Sequence, residues 1–403
     1  MSKLSSLKLQ RLDVPTWKQG YEGGAYARKN KAKSQGRGLI QALSTEYVGN
    51  ADSSTRILIF SSNYDASVEI SFLRPVRFSP QDFCAALLDD AQINRLETDG
   101  LNVVFDLFKP THVIFCRYWG NYFEQAMELA RAVGAATLSF LDDNLLAVPP
   151  ETGKATFEFF QDKARQRIIA DSIGKTDLFI PSTPMLAEVM KTYRKGPMAE
   201  WPLYRTVAQS EVGDVPQSRS YPTIGYMASS SHIGDITAHL PALMSLMEDR
   251  ADLHIEFFGT ILPLPQLSVF GNRVVSHAKA NSYDDFMARL HKMGWWVGLA
   301  PLKANDYNKT KACTKWVEYS LAGIPTLVQS PDVYSEAVKA DACVLARPEA
   351  FLSAIEGLLD DAGRRKKLVD TSHKLIVSHF NMNAHVNQLR EALVFARSLS
   401  AKT

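Results

Sequence analysis

The amino-acid sequence predicts an α/β fold with two domains in series, each built on a parallel sheet. Its 403 residues are 46% hydrophobic, which is enough for two or three buried cores. Short apolar, β-branched runs alternate with helical stretches, the pattern of right-handed βαβ units. A polar stretch at 206–220 interrupts this alternation, and we interpret it as the linker between the domains.

The first domain is predicted to span residues 55–205. The segment before it, 1–54, is rich in Gly, Lys, Ser and Asn, and we predict an N-terminal arm or cap there. The domain opens with the apolar run 56–62, which precedes turn residues and is typical of a buried parallel strand. After it we predict a helix at 79–97, a strand at 111–118, a helix at 122–134, a strand at 136–143, a helix at 156–174 and a strand at 177–184.

The second domain is predicted to span residues 221–380, where the alternation restarts. The last helix, within 381–403, and the helix before it are expected to pack back across the domains. Ligands of open parallel sheets bind outside the carboxyl ends of the strands, so both domains should present loops to a shared cleft. We predict strands at 223–229, 253–259, 273–278, 295–302, 326–330 and 342–346, and helices at 235–249, 283–293, 313–323, 362–380 and 383–399.

Composition and charge exclude several classes of function. The net charge of +2 gives no basic surface for a nucleic acid. The N-terminal residues lack the apolar core of a secretion signal, and no run of about 18 uncharged apolar residues occurs, so we expect a cytoplasmic protein. The cysteines lack the paired spacing of zinc or redox motifs and are expected to be reduced core thiols, with no metal site: Cys84, Cys116, Cys313 and Cys343.

The most informative stretch is "GLAPLKANDYNKTKACTKWVEYSLAGIPTLVQS", residues 298–330. Gly323 and Pro325 predict the end of a helix that starts near Thr310. On such a helix, Lys311, Lys315 and Glu318 share one face. Lysines at a helix start oppose the macrodipole, and a bound anion such as a diphosphate would resolve the conflict.

The same face has a second interpretation that the residues leave open. Glu318 is one turn further along the helix, where it can accept hydrogen bonds from ribose hydroxyls. It can equally form an exposed salt bridge with Lys315, three residues away, on a solvated face.

This stretch resembles the nucleotide-binding motif of the group-1 bacterial glycosyltransferases of the GT-B fold. That motif is a lysine-rich loop, a Lys-x-x-Glu-Tyr helix, then Ala-x-Gly-x-Pro and a strand. The resemblance implies two Rossmann-like domains facing a cleft, with an acceptor domain first and a nucleotide-sugar domain second. Four other stretches resemble the family in the expected order: "CRYWG" (116–120), "LSFLDDNLLAVPP" (138–150), "IPSTPMLAEVM" (180–190) and "IGYMASSSHIGDI" (224–236).

The resemblance also implies roles for individual residues. Lys311 and Lys315 would contact the donor phosphates, and Glu318 the ribose. The commoner motif has a second glutamate eight residues before Glu318, at the position of Thr310 here. This departure counts against an ordinary neutral hexose as the donor sugar. The lysines at 303, 309, 311 and 315 would suit an acidic sugar as well as a diphosphate. The remaining residues assigned to the donor are Ser229, Ser230 and Thr314.

Residues 229–235, "SSSHIGD", place two more candidates after a strand and at a helix start. Asp235 is either a helix N-cap or a carboxylate that acts on the anomeric carbon as nucleophile or ion-pair partner. His232 can pair with Asp235 or with the leaving phosphate. The two interpretations of Asp235 are compatible.

The first domain supplies further candidates at the ends of its strands. Asp142 and Asp143 are either a solvated acidic turn or groups that bind the acceptor and act as general base; the third acidic residue common in the family is Asn144 here. Arg117 is either a surface ion-pair partner or a contact for an anionic part of donor or acceptor. Glu158, beside aromatic residues, is either an exposed helix residue or a general acid or base.

The leading hypothesis is a glycosyltransferase, retaining and metal-independent, that extends a lipopolysaccharide O-antigen or a capsule. It would need no cofactor beyond a CMP-, UDP- or GDP-linked donor, and its acceptor would be a glycan or lipid-linked glycan. One alternative is a CMP-Kdo-dependent β-Kdo transferase. An epimerase or phosphorylase of similar fold is a further hypothesis, and so is a non-catalytic glycan-binding or scaffold module. Peripheral contact with the inner membrane or with other glycan-assembly proteins is also expected.

Overall fold

The protein is described by a computed structural model in which two sheets carry the architecture. Most of the predicted arm, residues 1–46 and 51, lies outside the described residues, and so does most of the predicted linker, at 208–218. The described residues are 47–50, 52–94, 100–201, 207 and 219–401.

The first sheet has six strands in the order β1-β3-β2-β4-β5-β6. β1 pairs with β3 antiparallel, and the other pairs are parallel. The sheet therefore takes in Tyr47–Gly49, which the sequence assigned to the arm, because this three-residue edge strand has too few residues to show an apolar pattern. The strands are β1 (Tyr47–Gly49), β2 (Arg56–Ser61), β3 (Cys84–Asp89), β4 (His112–Cys116), β5 (Ala136–Leu141) and β6 (Leu178–Pro181).

The helix predicted at 79–97 is wrong, because its apolar residues form strand β3 instead. Residues 84–88 are all buried, as in a strand covered on both faces, and such a run cannot be told from a buried helix by periodicity alone. The predicted helix at 156–174 is broken at Asp162, which caps its second half. The helices are α1 (Ala66–Val68, Glu69–Leu73 and Arg74–Phe78, continuous), α2 (Asp90–Ile93), α3 (Gly100–Phe108), α4 (Phe123–Ala132), α5 (Lys154–Gln161), α6 (Lys163–Lys175) and α7 (Pro184–Met190).

The second sheet is parallel, in the order β12-β11-β10-β7-β8-β9. Its strands are β7 (Thr223–Ala228), β8 (His254–Gly259), β9 (Val274–Ala278), β10 (Val297–Ala300), β11 (Thr326–Val328) and β12 (Val344–Leu345). Its helices are α8 (Ile233–Thr237), α9 (Leu240–Asp249), α10 (Tyr283–Met293), α11 (Asp306–Lys309), α12 (Thr314–Leu321), α13 (Ser335–Lys339) and α14 (Phe351–Asp360).

Two long helices close the chain, α15 (Ala362–His379) and α16 (Met382–Ser400). The first packs on the second domain, where His373 Nε2 lies 2.7 Å from the Ser320 carbonyl oxygen. The second returns to the first domain, where the indole of Trp201 donates to His385 Nε2 at 2.6 Å. The expectation of a return across the domains is confirmed for the last helix, whereas the described contacts of the helix before it lie on the second domain.

Candidate active site

A cleft of about 570 Å³ opens between the two domains, at the carboxyl ends of their strands. The first domain contributes residues 64–67 and the adjacent aspartates 142 and 143. The second domain contributes the loop after β7 and the start of α12. This is where open parallel sheets place their ligands, so we describe the cleft as the candidate active site.

Tyr319 fastens helix α12 to the sheet and so positions the residues that face the cleft. Its hydroxyl accepts from the backbone N–H of Met227 at 2.9 Å and donates to the Leu299 carbonyl at 3.1 Å. Gly298 leaves room for the ring, since a Cβ there would lie 2.8 Å from it. The helix ends as predicted, with Gly323 in the left-handed conformation (φ 70°).

Lys315 lies in the first turn of α12 and lines the cleft. Its ammonium group is buried, and among the described residues it has no hydrogen-bond partner. Nζ lies over the ring of Tyr226, 5.1 Å from the ring centroid. Burial lowers the pKa of Lys315 to about 8, a trend that Asp235 opposes. Glu318 is 7% exposed and lines the cleft together with Lys315, so this part of the helix is not the solvated face that the second interpretation requires.

Lys311 is not on the helix that carries Lys315, contrary to the sequence prediction. The short helix α11 ends in a turn, where the N–H groups of Thr310 and Lys311 bond to carbonyls 307 and 308, and α12 begins only at Thr314. The side chain of Lys311 reaches across the cleft to Asp143 Oδ1, at 2.9 Å. Although burial opposes it, the charge of Asp143 raises the pKa of Lys311.

Thr310, which stands at the position of the second glutamate of the motif, forms a hydrogen bond between the two domains. Its side chain is fully buried and donates to the Tyr307 carbonyl at 2.7 Å. Its own carbonyl accepts from the Thr183 hydroxyl of the first domain at 2.8 Å. The position is thus filled by a contact between the domains and does not reach into the cleft.

The other residues assigned to the donor by resemblance lie close to Lys315. Glu318 and Thr314 line the cleft on the same helix, and Ser229 lines it from the loop after β7. Ser230 is in that loop but is not among the lining residues; its N–H bonds to the Thr260 hydroxyl at 3.0 Å.

His232 and Asp235 form a pair beside the cleft. His232 Nδ1 lies 2.9 Å from Asp235 Oδ2. Burial and the nearby charge of Lys315 lower the pKa of His232 to about 4, whereas the hydrogen bonds from His232 and from the N–H of Lys303 lower the pKa of Asp235 against the effect of burial. At neutral pH the imidazole is therefore neutral, donates Nδ1–H to the carboxylate and keeps a lone pair on Nε2.

Asp235 itself sits behind His232 and does not line the cleft. Its second oxygen, Oδ1, accepts from the Lys303 N–H at 2.9 Å and from Asn308 Nδ2 at 3.1 Å. It is the third residue of α8, whose N-cap is His232, so it is not the helix cap that the sequence allowed. This geometry favours a positioning role for Asp235.

On the first domain, Arg117 organises the acidic side of the cleft. It donates to Asp142, and its other contacts are Asp143 at 3.4 Å and Asp65 at 3.5 Å. Its backbone is left-handed (φ 47°), a conformation that non-glycine residues rarely adopt and that functional sites retain. Asp142 also accepts from the Ser67 hydroxyl.

The pKa values of Asp142 and Asp143 are shifted in opposite directions. Burial raises the pKa of Asp142, although Arg117 opposes it. Lys311 and Arg117 outweigh burial at the neighbouring residue and lower the pKa of Asp143. Both side chains face the cleft, so the solvated-turn interpretation of this pair does not hold.

Some predicted residues are not brought into the cleft. Glu158 is 62% exposed on α5 and lies 3.8 Å from Lys154, one helical turn away, so its neighbouring rings do not desolvate it. Lys309 pairs with exposed Asp306 at 3.1 Å, and Lys303 offers its backbone rather than its ammonium group. Neither of these two extra lysines lines the cleft.

Among the residues that sequence reasoning missed are Asp65 and Lys279, which line the cleft, and Tyr307, which contacts Lys311. Asp65 follows β2 and caps α1, accepting from the N–H groups of residues 67 and 68, so its turn-and-cap signature was available in the sequence. Lys279 follows β9, where nothing marks it. Tyr307 has its ring centroid 4.5 Å from the ammonium of Lys311, four residues later in the chain.

In the part of the chain that the structure describes, no three His, Cys, Asp or Glu side chains are grouped to bind a metal ion. Within the same residues, no helix combines the length and the apolar character needed to cross a bilayer.

Comparison with solved structures identifies the fold. The chain resembles a sucrose-phosphate synthase from Thermosynechococcus elongatus, at 12% identity over 87% of this chain and 100% of that chain, with a TM-score of 0.60. It also resembles Anabaena HepE, solved with UDP and glucose, at 11% identity over 84% and 99% of the two chains and a TM-score of 0.57. A third resemblance is to a mutant O-GlcNAc transferase from Thermobaculum terrenum, at 15% identity, 96% and 79% coverage and a TM-score of 0.52.

These likenesses show the GT-B fold, two Rossmann-like parallel-sheet domains, and confirm the predicted fold class. No protein-family model matches the sequence, and no curated protein matches it. At identities of 9–15% the fold is shared, while the function has to be argued from the site itself.

Proposed function

We propose that this chain is a glycosyltransferase that moves a sugar from a nucleotide-activated donor to an acceptor glycan. The observation that carries the proposal is Lys315, a buried ammonium that lines an interdomain cleft without a hydrogen-bond partner among the described residues. A buried unpaired charge destabilises a protein unless a ligand compensates it. A nucleotide diphosphate or monophosphate is the anion that a GT-B cleft of this size accommodates.

The residues of the second domain are assigned to different parts of the donor. In the transfer, the acceptor oxygen forms a bond to the anomeric carbon while the bond from that carbon to the donor phosphate breaks, and the leaving phosphate keeps the electron pair. We assign Lys315 and Lys311 to stabilising that phosphate, with Thr314 and Ser229 beside it. Glu318 accepts hydrogen bonds from the ribose.

The proton released by the acceptor needs a receiving group. Retention of the anomeric configuration, which we propose, delivers it to the leaving phosphate on the same face of the sugar. His232, held by Asp235, then uses its Nε2 lone pair to accept a hydrogen bond from a sugar hydroxyl and orient it. Asp142 and Asp143 are assigned to the acceptor side, because they lie on the opposite domain.

The finer parts of the proposal concern substrate and setting. We propose a glycan acceptor of the O-antigen or capsule type, a cytoplasmic location with peripheral contact to the inner membrane, and no metal or further cofactor, since lysines supply the positive charge. HepE was solved with UDP, which supports a uridine nucleotide as the first candidate. A CMP-linked acidic sugar such as Kdo is the second candidate, with Lys279 as an additional cation in the cleft.

Isothermal titration calorimetry with CMP, UDP, GDP and TDP tests the proposal. Wild type should bind at least one of them, and Lys315→Met should weaken that binding by about 30-fold, the effect of losing a charge-assisted bond. The matched control is Lys309→Met, which removes an exposed lysine outside the cleft and should leave affinity unchanged. Failure of wild type to bind any of the four nucleotides, or equal affinities in both variants, would favour a non-catalytic scaffold module.

A further inference from the structure

A second groove, of about 340 Å³, opens on the first domain beside the cleft. Three side-chain amides line it, those of Asn63, Asn94 and Asn121, and we call it the amide groove. All three residues are exposed. Asn94 Oδ1 accepts from the hydroxyl of Tyr122, at 3.2 Å, so this amide is held in place while its NH₂ donors remain for a ligand.

Aromatic rings form the other part of the amide groove. Trp119 and Phe159 line it, with ring centroids 5.8 Å apart and nearly perpendicular planes. Phe159 is 41% exposed, although it sits beside the buried ring of Phe160. The guanidinium of Arg165 covers one face of Phe159 at 3.4 Å and stiffens its position.

Rings that present apolar surface next to several amides match the chemistry of a sugar. A pyranose has an apolar face of C–H groups, which packs on aromatic rings, and a rim of hydroxyls, which exchange hydrogen bonds with amides. Among the described residues that line the groove there is no carboxylate, and Arg165 is the charged side chain. The groove therefore fits a neutral or an acidic sugar and disfavours a cation.

Two loops contribute residues both to the amide groove and to the region of the reaction cleft. The loop after β2 supplies Asn63 to the groove and, two residues later, Asp65 to the cleft. The loop after β4 supplies Trp119 to the groove, and Arg117 in the same loop contacts the aspartates of the cleft. A chain of sugars that enters the groove is thereby led toward the acidic side of the cleft.

We propose that the amide groove binds a sugar unit of the acceptor glycan other than the unit that reacts. The enzyme then recognises an oligosaccharide, not a single sugar. The acceptor role rests on the proposed glycosyltransferase function, whereas sugar binding by the groove stands independently of it. A glycan array probed with the labelled full-length protein tests it.

Wild type should bind a set of oligosaccharides on the array, and Phe159→Ser should weaken that binding by at least about tenfold, as expected when an aromatic anchor is removed. Phe395→Ser is the matched control, since Phe395 is 43% exposed on α16, outside the groove, and it should bind as wild type does. Asn121→Ala should weaken binding as well, without a change in melting temperature.

The outcomes separate this proposal from the proposed function. Lys315→Met should lose nucleotide affinity and keep glycan binding, because Lys315 lies in the cleft and not in the groove. If wild type binds a nucleotide but no glycan, the proposed sugar binding by the amide groove is wrong and the proposed transferase function is not affected. Equal glycan binding by the Phe159→Ser and Phe395→Ser variants would overturn the proposed sugar binding too. Glycan binding that depends on Phe159 in a protein that binds no nucleotide would sustain the groove and overturn the transferase.

Discussion

On the first-domain face of the cleft, the charges of Asp142 and Asp143 are paired with Arg117 and Lys311. On the second-domain face, Lys315 is buried and has no hydrogen-bond partner among the described residues. Lys311 belongs to the second domain by sequence but is engaged by the first. The charges of the first face are engaged in ion pairs, whereas the second face contains a buried cation without a described hydrogen-bond partner.

This difference has a physical consequence for stability and function. Charges that are paired in the cleft stabilise the folded state. A buried ammonium without a hydrogen-bond partner destabilises it, and a bound anion would offset that cost. Functional sites commonly retain such local costs. The comparison can therefore be tested by removing charge from each face separately and measuring stability, binding and turnover.

The largest effect on turnover is expected at Asp235, which positions His232 without lining the cleft itself. In Asp235→Asn the donors from Lys303 and Asn308 keep the amide oxygen at the Oδ1 position, so its NH₂ group must face His232. Nδ1 then becomes an acceptor and the proton moves to Nε2, the wrong tautomer. Transfer should slow by about 100-fold, the scale of one lost transition-state contact.

Steady-state kinetics measures this prediction, with melting temperature and nucleotide affinity as controls that should hardly change. His232→Asn should lose a similar factor, and the double variant should be no worse than either single variant, because the two residues act as a unit. Near-normal turnover in a folded Asp235→Asn protein would remove the pair from the mechanism.

The next effect is expected on the first face, where Asp143→Asn breaks the buried bridge to Lys311. Leaving that ammonium uncompensated should destabilise the protein by about 2–4 kcal/mol. Asp306→Asn is the matched control, because its bridge to Lys309 is exposed and should be worth less than about 0.5 kcal/mol. Thermal unfolding compares the two variants. Equal shifts in melting temperature would mean that the buried bridge stabilises the protein no more than the exposed one.

The smallest effect is expected at Lys315, with the opposite sign. Without ligand, Lys315→Met should stabilise the protein by about 1–3 kcal/mol at neutral pH, because it removes a buried charge whose pKa is depressed to about 8. Thermal unfolding without nucleotide measures the change. A destabilised variant would show that the ammonium is already satisfied.

The difference in stability between wild type and Lys315→Met should also depend on pH. Lys315 has a pKa of about 8 when folded and 10.5 when unfolded, so between these values the unfolded state binds more protons and wild-type stability rises with pH. The variant lacks this group, and the difference in stability between the two proteins should shrink as pH rises from 8 toward 10.5. A gap that stays constant over that range would contradict the assignment.

Much of the fold was readable from the sequence, because its strands and helices follow local patterns. The helix 283–293 was predicted with its observed bounds, Tyr283–Met293, since a serine cap precedes it and a glycine ends it. The helix predicted at 79–97 failed, because a fully buried run has no polar face to reveal its period. The two faces of β3 are buried in different cores, one shared with α1 and the other with α3, and local sequence does not show that packing.

The candidate site was readable in part. Glu318 and Lys315 were placed correctly on one helix, because i and i+3 positions share a face. Lys311 was not, because the turn at Thr310 breaks the helical register. Arg117 acquired Asp142 as a partner only when strands β4 and β5 paired in the first sheet, and Lys311 acquired Asp143 only when the two domains met.

The sequence by itself determined the alternation of strands and helices, the helix ends at Gly294 and Gly323, and the residue types that could meet a nucleotide. Those properties are set by neighbours a few positions away. Tertiary structure alone decided that Lys311 is paired while Lys315 is not, and that Asp235 holds His232 from behind. Such outcomes depend on which distant groups share a low-dielectric space, and local sequence does not encode that distance.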